Sequence, residues 1–143
     1  MIDLGRDFNW DKAIDKTLWK ELQNHNLTLR YGLQSLDLSM MALAIGFKHK
    51  TPKPFEKNSI GSGGNIRDAL GTDRRKKNAI GFILSVAVEH TGSLEILKED
   101  GPKIRKISEE YANGGVEKLH QIFMSPSSDN VVINNLLKIM KES

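Results

Sequence analysis

Cysteine is absent from the 143 residues, so the chain can form neither a disulfide framework nor a cysteine-based zinc site. A chain without cysteine suits a reducing compartment, and we expect the protein to be cytoplasmic. Aromatic residues make up only 6% of the chain, which leaves few side chains for stacking on single-stranded bases. The longest nearly apolar run covers residues 79–88, about half the length of a membrane-spanning helix, and we expect no membrane association.

The N-terminal segment, MIDLGRDFNWDK, contains acidic residues and no apolar stretch, so we do not expect a signal peptide. Hydrophobic residues account for 38% and charged residues for 27% of the chain, which is typical of a globular protein. The length predicts a single domain over residues 1–143.

Apolar residues recur every three or four positions, which predicts an all-α fold. We expect a compact domain of five to seven helices, in which the apolar segments 29–47 and 74–90 form two buried helices. A strand is the alternative for the second segment, because Ile80, Ile83, Val86 and Val88 are β-branched. The predicted helices cover residues 10–24, 29–47, 66–70, 74–90, 93–99, 102–113 and 130–140.

Several details of these helices depend on capping signals and glycines. The helix that begins at Pro102 either ends at Gly114–Gly115 or continues to Met124. Residues 48–64 form a long basic loop, and the GSGGN segment at its end is typical of a flexible linker, because it lacks the spacing of a phosphate-binding motif. Trp10 and Trp19 fall on different faces of the first predicted helix, so one of them is a candidate interface anchor.

Positive charge is concentrated in the middle of the chain. Residues 46–77 contain nine lysines and arginines against three acids, a net charge of +6, whereas the whole chain has a net charge of +3. Four of these cations, Arg74, Arg75, Lys76 and Lys77, follow a predicted N-cap, Asp73, and are called the helix-start cluster below. They lie where the helix macrodipole favours anions, so they are unfavourable for the helix itself.

Three interpretations of the helix-start cluster stay open: a solvated helix start, a phosphate-binding surface and a localisation signal. The phosphate-binding interpretation gains weight if the loop lysines fold beside the cluster. The loop lysines are Lys48, Lys50, Lys53 and Lys57.

No sequence motif indicates catalysis, a cofactor or a metal site. The four histidines are scattered, and none has the spacing of a metal-binding pair. The chain contains no nucleophile elbow. We therefore expect a protein that is not an enzyme and has no catalytic, cofactor-binding or metal-binding residues. A site assembled in space from His90 or His120 and two carboxylates is the remaining enzymatic alternative.

Four segments resemble the DndE family, small accessory proteins of bacterial DNA phosphorothioation. NLTLRYGLQSLDLSMMALAIGF looks like the second helix of that family, and a loop with Pro52 and Pro54 follows it. IRDALG then leads to a hydrophobic helix, and EEYANGGVEKLHQIF is similar to the last helix of the family. The resemblance covers roughly residues 17–124. The longer loop and the additional C-terminal helix depart from the family pattern and put the subfamily in doubt.

The resemblance implies a compact helical protein that self-associates, binds DNA through a lysine-rich surface and works beside sulfur-transfer and ATPase proteins. Only the basic character of residues 48–57 and 74–77 carries over by position. We therefore predict a DNA-binding or DNA-associated accessory subunit of a DNA modification or defence system. The helix-start cluster and the loop lysines would contact the phosphates of double-stranded DNA without sequence preference. The alternative is a protein-interaction subunit that docks on an acidic partner protein.

Overall fold

The structure, a computed structural model, describes residues 3–68 and 71–141, with the side chains of residues up to 139. Within these ranges the chain forms six α-helices and one two-stranded ribbon, which confirms the predicted all-α fold. A π-helical turn, Asp15–Trp19, and two 3₁₀ segments, Gly61–Gly63 and Leu94–Lys98, complete the ordered elements. The strands and helices are β1 (Trp10–Asp11), α1 (Lys20–Asn24), α2 (Asn26–Arg30), α3 (Ser35–Lys48), β2 (Ser59–Ile60), α4 (Arg74–Thr91), α5 (Gly101–Phe123) and α6 (Asp129–Lys141).

The centre of the fold is the contact between α3 and α5. Buried residues of α3, including Leu38, Ala42 and Leu43, share one hydrophobic core with buried residues of α5. The two backbones touch, since a Cβ on Gly46 of α3 would overlap the carbonyl oxygen of Tyr111, and a Cβ on Gly115 would overlap that of Ala42. The prediction that the 29–47 segment contains a buried central helix is therefore confirmed.

Helix α4 begins at Arg74 as predicted, so the strand alternative for its apolar segment is wrong. The Asp73 side chain accepts a hydrogen bond from the Lys76 amide, and Gly92 ends the helix in the left-handed conformation. Helix α4 buries only one face, formed by Ala79, Ile83, Val86 and Ala87. The apolar composition of residues 79–88 predicts a more deeply buried helix than the structure shows, because several of its apolar side chains are half-exposed at the side of the core.

The N-terminal segment differs from the predicted helix over residues 10–24. Trp10 and Asp11 form β1, which pairs antiparallel with β2, and helical structure starts only at Asp15. Trp10 and Trp19 are both buried and stack face to face, with ring centroids 4.1 Å apart. The prediction that one of them is an exposed interface anchor is wrong, because Trp10 lies on a strand and not on the helix that carries Trp19.

Other helix boundaries also differ from the prediction. The 29–47 segment is divided by a turn into α2 and α3. Residues 66–68 have no regular secondary structure, and the Ile66 amide donates to the Arg6 carbonyl of the N-terminal segment. Residues 69–70 of that predicted helix lie outside the described residues. Gly114–Gly115 lie within α5, which continues to Phe123.

The GSGGN segment is a packed turn and not a flexible linker. The Gly63 carbonyl accepts a hydrogen bond from the Ser39 hydroxyl, and the Gly63 amide donates to Phe8. Gly64 has a φ of 110° and lies against Leu36, so a side chain there would be strained and would overlap its neighbour.

Within the described residues, no helix combines the length and the apolar character that crossing a membrane requires.

Candidate nucleic-acid interface

The helix-start cluster lies in the first turn of α4, behind a loop that carboxylates hold in shape. The Asp68 carboxylate accepts a hydrogen bond from the Asp73 amide at 2.8 Å. Desolvation raises the pKa of Asp68, but hydrogen bonds from the amides of residues 71–73 and the charge of Lys77 outweigh it and leave the pKa lowered. The backbone that leads into the cluster is therefore fixed by charge-assisted hydrogen bonds.

A groove separates the start of α4 from the start of α3. It has a volume of about 730 Å³, and both helix N-termini line it, with Gln34, Ser35 and Leu36 on one side. Residues 72–76 form the opposite side, and Gly64 and Asn65 lie between the two. The N-termini of α3 and α4, which attract anions, both line this groove, although a Gln34–Asp37 capping box and the Asp73 side chain already bind some of their amides.

The four cations of the cluster are not equivalent. Arg75 pairs with Asp37 of α3 at 3.4 Å, and the Lys76 ammonium donates to the Arg67 carbonyl at 3.3 Å. The Arg74 side chain makes no hydrogen bond or ion pair with any other described residue. Lys77 interacts with Asp68 only through its charge. Arg74 and Lys77 are exposed and are the two cations with most freedom to contact an external anion.

The structure places the loop lysines away from the helix-start cluster. The Arg75–Asp37 pair fixes the cluster at the start of α3, whereas Lys48 is the last residue of α3. With a rise of 1.5 Å per residue, these two positions are about 17 Å apart along the helix axis. The two groups thus form separate basic surfaces, and the proximity that would have strengthened the phosphate-binding interpretation is not found.

The loop lysines themselves lie along the segment that leaves α3. Lys50 and Lys57 are exposed, and the Lys50 backbone has a φ of 53°. The Lys53 ammonium lies 3.8 Å from Glu56, and the Lys53 amide donates to the Glu110 carbonyl of α5. This segment therefore runs beside α5 and not beside α4.

A second opening, called the α5 cleft below, lies between this loop and the first turns of α5. It has a volume of about 520 Å³, and Lys57 and Phe55 of the loop line it. Lys103 and Lys106 line it from α5, with Glu109 one turn further along. Of the loop lysines, Lys57 thus lies with two lysines that the sequence analysis did not select. Their spacing of three residues directly after Pro102 was the signal available, since it places both on one face of the helix start.

Glu109 is 4% exposed and lies at the inner side of the α5 cleft. Its carboxylate pairs with Arg105 at 3.1 Å and accepts a hydrogen bond from the Asn9 amide. Desolvation raises the pKa of Glu109 to about 7, because it outweighs the charge of Arg105 and the hydrogen bonds from Asn9 and Arg105. This buried carboxyl group is the strongest electrostatic feature that sequence reasoning missed, since burial cannot be read from the local pattern around residue 109.

The histidines do not assemble the site that would have favoured an enzyme. The His90 ring nitrogen lies 2.6 Å from the Tyr111 hydroxyl, and His120 lies 3.2 Å from the single carboxylate of Glu21. No group of three or more acidic or histidine side chains in the described part of the chain is arranged to hold a metal ion.

A family model described as DNA sulphur modification system-associated protein 4 matches residues 15–143. The chain belongs to this family. The match includes both segments in which the chain departs from the DndE pattern, the loop after α3 and helix α6. It supports an accessory protein of a DNA sulphur modification system, but it does not support membership of the DndE family itself. No curated protein and no solved structure matches the chain.

Proposed function

We propose that this family member is a non-enzymatic subunit that binds duplex DNA through the helix-start cluster. The observation that carries the proposal is the groove where two helix N-termini meet exposed cations. The association of the family with DNA modification supplies a polyanion as the expected ligand. Cations at a helix N-terminus are unfavourable for the helix, and an external phosphate would offset that repulsion.

The contacts would be made mainly to the DNA backbone. Arg74 and Lys77 are free to contact phosphates directly. The side chains of Arg75 and Lys76 already contact other protein groups, so they would attract phosphates from fixed positions. The chain offers no base-reading motif, so the binding is expected to be independent of sequence. Lys48, Lys50, Lys53 and Lys57 belong to a separate surface and would extend the contact only along a bent or long duplex.

A second candidate function is docking on an acidic partner protein of the same system. Three carboxylates, Asp37, Asp68 and Asp73, lie among the cations of the groove and reduce its net charge. Such mixed charge suits a specific protein contact, because complementary charges select partner and register. Self-association, which the resemblance to DndE implied, stays a prediction that sedimentation of the purified protein would test.

The test is fluorescence anisotropy of a labelled 20-base-pair duplex at three salt concentrations. If four to six phosphates are contacted, the logarithm of the binding constant should fall with the logarithm of salt concentration with a slope of roughly −4 to −5. Changing residues 74–77 to Gln should remove most of the affinity and reduce the magnitude of the slope by about 3.

The matched control removes four exposed cations elsewhere, by changing Lys16, Lys20, Lys118 and Lys138 to Gln. Both variants lose the same charge, so a site at the helix-start cluster predicts a large effect for the first and a small effect for the second. Equal effects would show that only overall charge matters, which contradicts the proposed site. No binding at the lowest salt would reject DNA binding and favour the docking function, tested next by gel filtration with each purified protein of the system.

A further inference from the structure

The α5 cleft combines three kinds of chemistry that the helix-start cluster lacks. Lys57, Lys103 and Lys106 bring positive charge to its edge, and all three are exposed. Phe55, flanked by Pro54, gives it a half-buried apolar wall. Glu109 adds a buried carboxyl group on the inner side.

The loop that forms one wall of the cleft is fixed at several points. The Asn113 side chain donates to the Lys53 carbonyl at 3.0 Å, and the Lys53 amide donates to Glu110. On the other side, the Asp11 carboxylate accepts hydrogen bonds from the amides of Glu56 and Lys57 at 2.7 and 3.1 Å. Phe55 is therefore held between two anchored stretches, and the cleft is preorganised.

We propose that the α5 cleft binds a nucleotide, with its phosphate at Lys57, Lys103 and Lys106, its base against Phe55 and a base N–H group donating to Glu109. The volume is within the range of small-molecule sites, and bases stack on aromatic side chains without strong sequence preference.

The pairing of Glu109 with Arg105 makes an anionic ligand acceptable in this cleft. Arg105 balances the buried carboxylate, so the net charge along the cleft is set by the three lysines and by Glu110. An apolar wall and an inner hydrogen-bond acceptor have no function for a bare phosphate, whereas a nucleotide uses all three features. A nucleotide free in solution and a displaced nucleotide of a DNA strand share this chemistry.

The proposal does not rest on DNA binding by the helix-start cluster. The test is calorimetric titration of the full chain with each of the four deoxynucleoside 5′-monophosphates, with the deoxynucleosides and inorganic phosphate as reference ligands. At least one monophosphate should bind more tightly than its nucleoside and more tightly than phosphate. The variant with residues 74–77 changed to Gln should bind it unchanged, which separates the two proposals.

Matched variants locate the site. Changing Lys103 and Lys106 together to Gln should weaken nucleotide binding about tenfold or more, while Lys118→Gln, an exposed lysine of the same helix, should have no effect. Phe55→Leu keeps apolar bulk and should weaken binding about five- to tenfold by removing the aromatic face. Urea unfolding of each variant confirms that the fold is intact.

Each result decides the proposal. Nucleotide binding that is unchanged in the Lys103 and Lys106 variant would place the site elsewhere. Equal affinity for phosphate and nucleotides would show that the cleft binds only an anion. Either result, or the absence of binding, would overturn the proposal. Competition then identifies the source of the ligand. Displacement of the monophosphate by a single-stranded oligonucleotide would indicate a nucleotide within DNA, and no displacement would indicate a free nucleotide.

Discussion

At the scale of single residues, the Glu109 carboxyl group couples protonation to folding. Its pKa is about 7 in the folded chain, against 4.5 for an unperturbed glutamate. Between these two values the folded state binds more protons than the unfolded state. The contribution of Glu109 therefore favours folding at low pH and is lost as pH rises from about 4.5 to about 7, after which it stays constant.

Replacing Glu109 by Gln should remove this pH dependence. Gln keeps an oxygen that accepts from Asn9 and Arg105 but has no proton to lose. The free energy of unfolding of the original chain should fall relative to that of Glu109→Gln by up to about 3 kcal/mol across the window. Urea denaturation of both proteins from pH 5 to pH 8 measures the difference. Parallel pH profiles would contradict the raised pKa.

At the scale of elements, the closest helix contact depends on glycine. Gly46 of α3 and Gly115 of α5 face each other, and any Cβ on either would overlap backbone atoms of the other helix. A backbone cannot move aside as a flexible side chain can, so the two helices would have to separate. The two helices can therefore approach this closely because neither Gly46 nor Gly115 has a side chain.

Gly115→Ala should destabilise the fold even though alanine is the better helix former. Helix propensity favours alanine by about 1 kcal/mol, but the overlap with the Ala42 carbonyl costs more. We therefore expect the free energy of unfolding to fall by about 2–4 kcal/mol in total. Thermal and urea unfolding measure the change.

The matched control is Gly81→Ala in α4, where an added Cβ meets nothing within 4 Å. The same substitution there should stabilise the fold by about 0.5–1 kcal/mol, because only the propensity changes. Destabilisation of equal size at both positions would contradict the role of the α3–α5 contact.

At the scale of the whole molecule, Asp11 connects the N-terminal segment to the loop that follows α3. It is 2% exposed and accepts hydrogen bonds from the amide of Ala13 and from those of Glu56 and Lys57, which lie 45 and 46 positions later in the sequence. Desolvation raises the pKa of Asp11, but these hydrogen bonds outweigh it and leave the pKa lowered. Asp11 therefore stabilises the fold above its unfolded pKa, and this contribution is lost as pH falls below about 3.8.

Asp11→Asn should destabilise the chain by about 2–3 kcal/mol, because one carboxylate oxygen becomes an NH2 group, which faces a backbone donor and cannot accept its hydrogen bond. The same change should loosen the loop and weaken nucleotide binding at the α5 cleft. Urea unfolding and the nucleotide titration measure the two effects. Asp15→Asn is the control, since the Asp15 side chain makes no hydrogen bond or ion pair with any other described residue, and it should change neither quantity appreciably.

The sequence by itself determined the all-α fold class, the start of α4 and the concentration of positive charge in residues 46–77. Periodic apolar residues and the Asp73 N-cap are local signals, and local signals act through neighbouring residues in the chain. The position of the helix-start cluster on the first turn of α4 followed from them. So did a short helical segment near residues 93–99, found at Leu94–Lys98, and the start of α5, found at Gly101, one residue before the predicted Pro102.

Tertiary structure decided what depends on distant partners. Trp10 lies on a strand because it pairs with β2, fifty positions later, and Ile66 is not helical because its amide donates to the Arg6 carbonyl. The burial of Glu109 and the grouping of Lys57 with Lys103 and Lys106 arise only when the loop packs on α5. No local pattern contains such long-range contacts, so only the folded chain separates one basic segment into two surfaces.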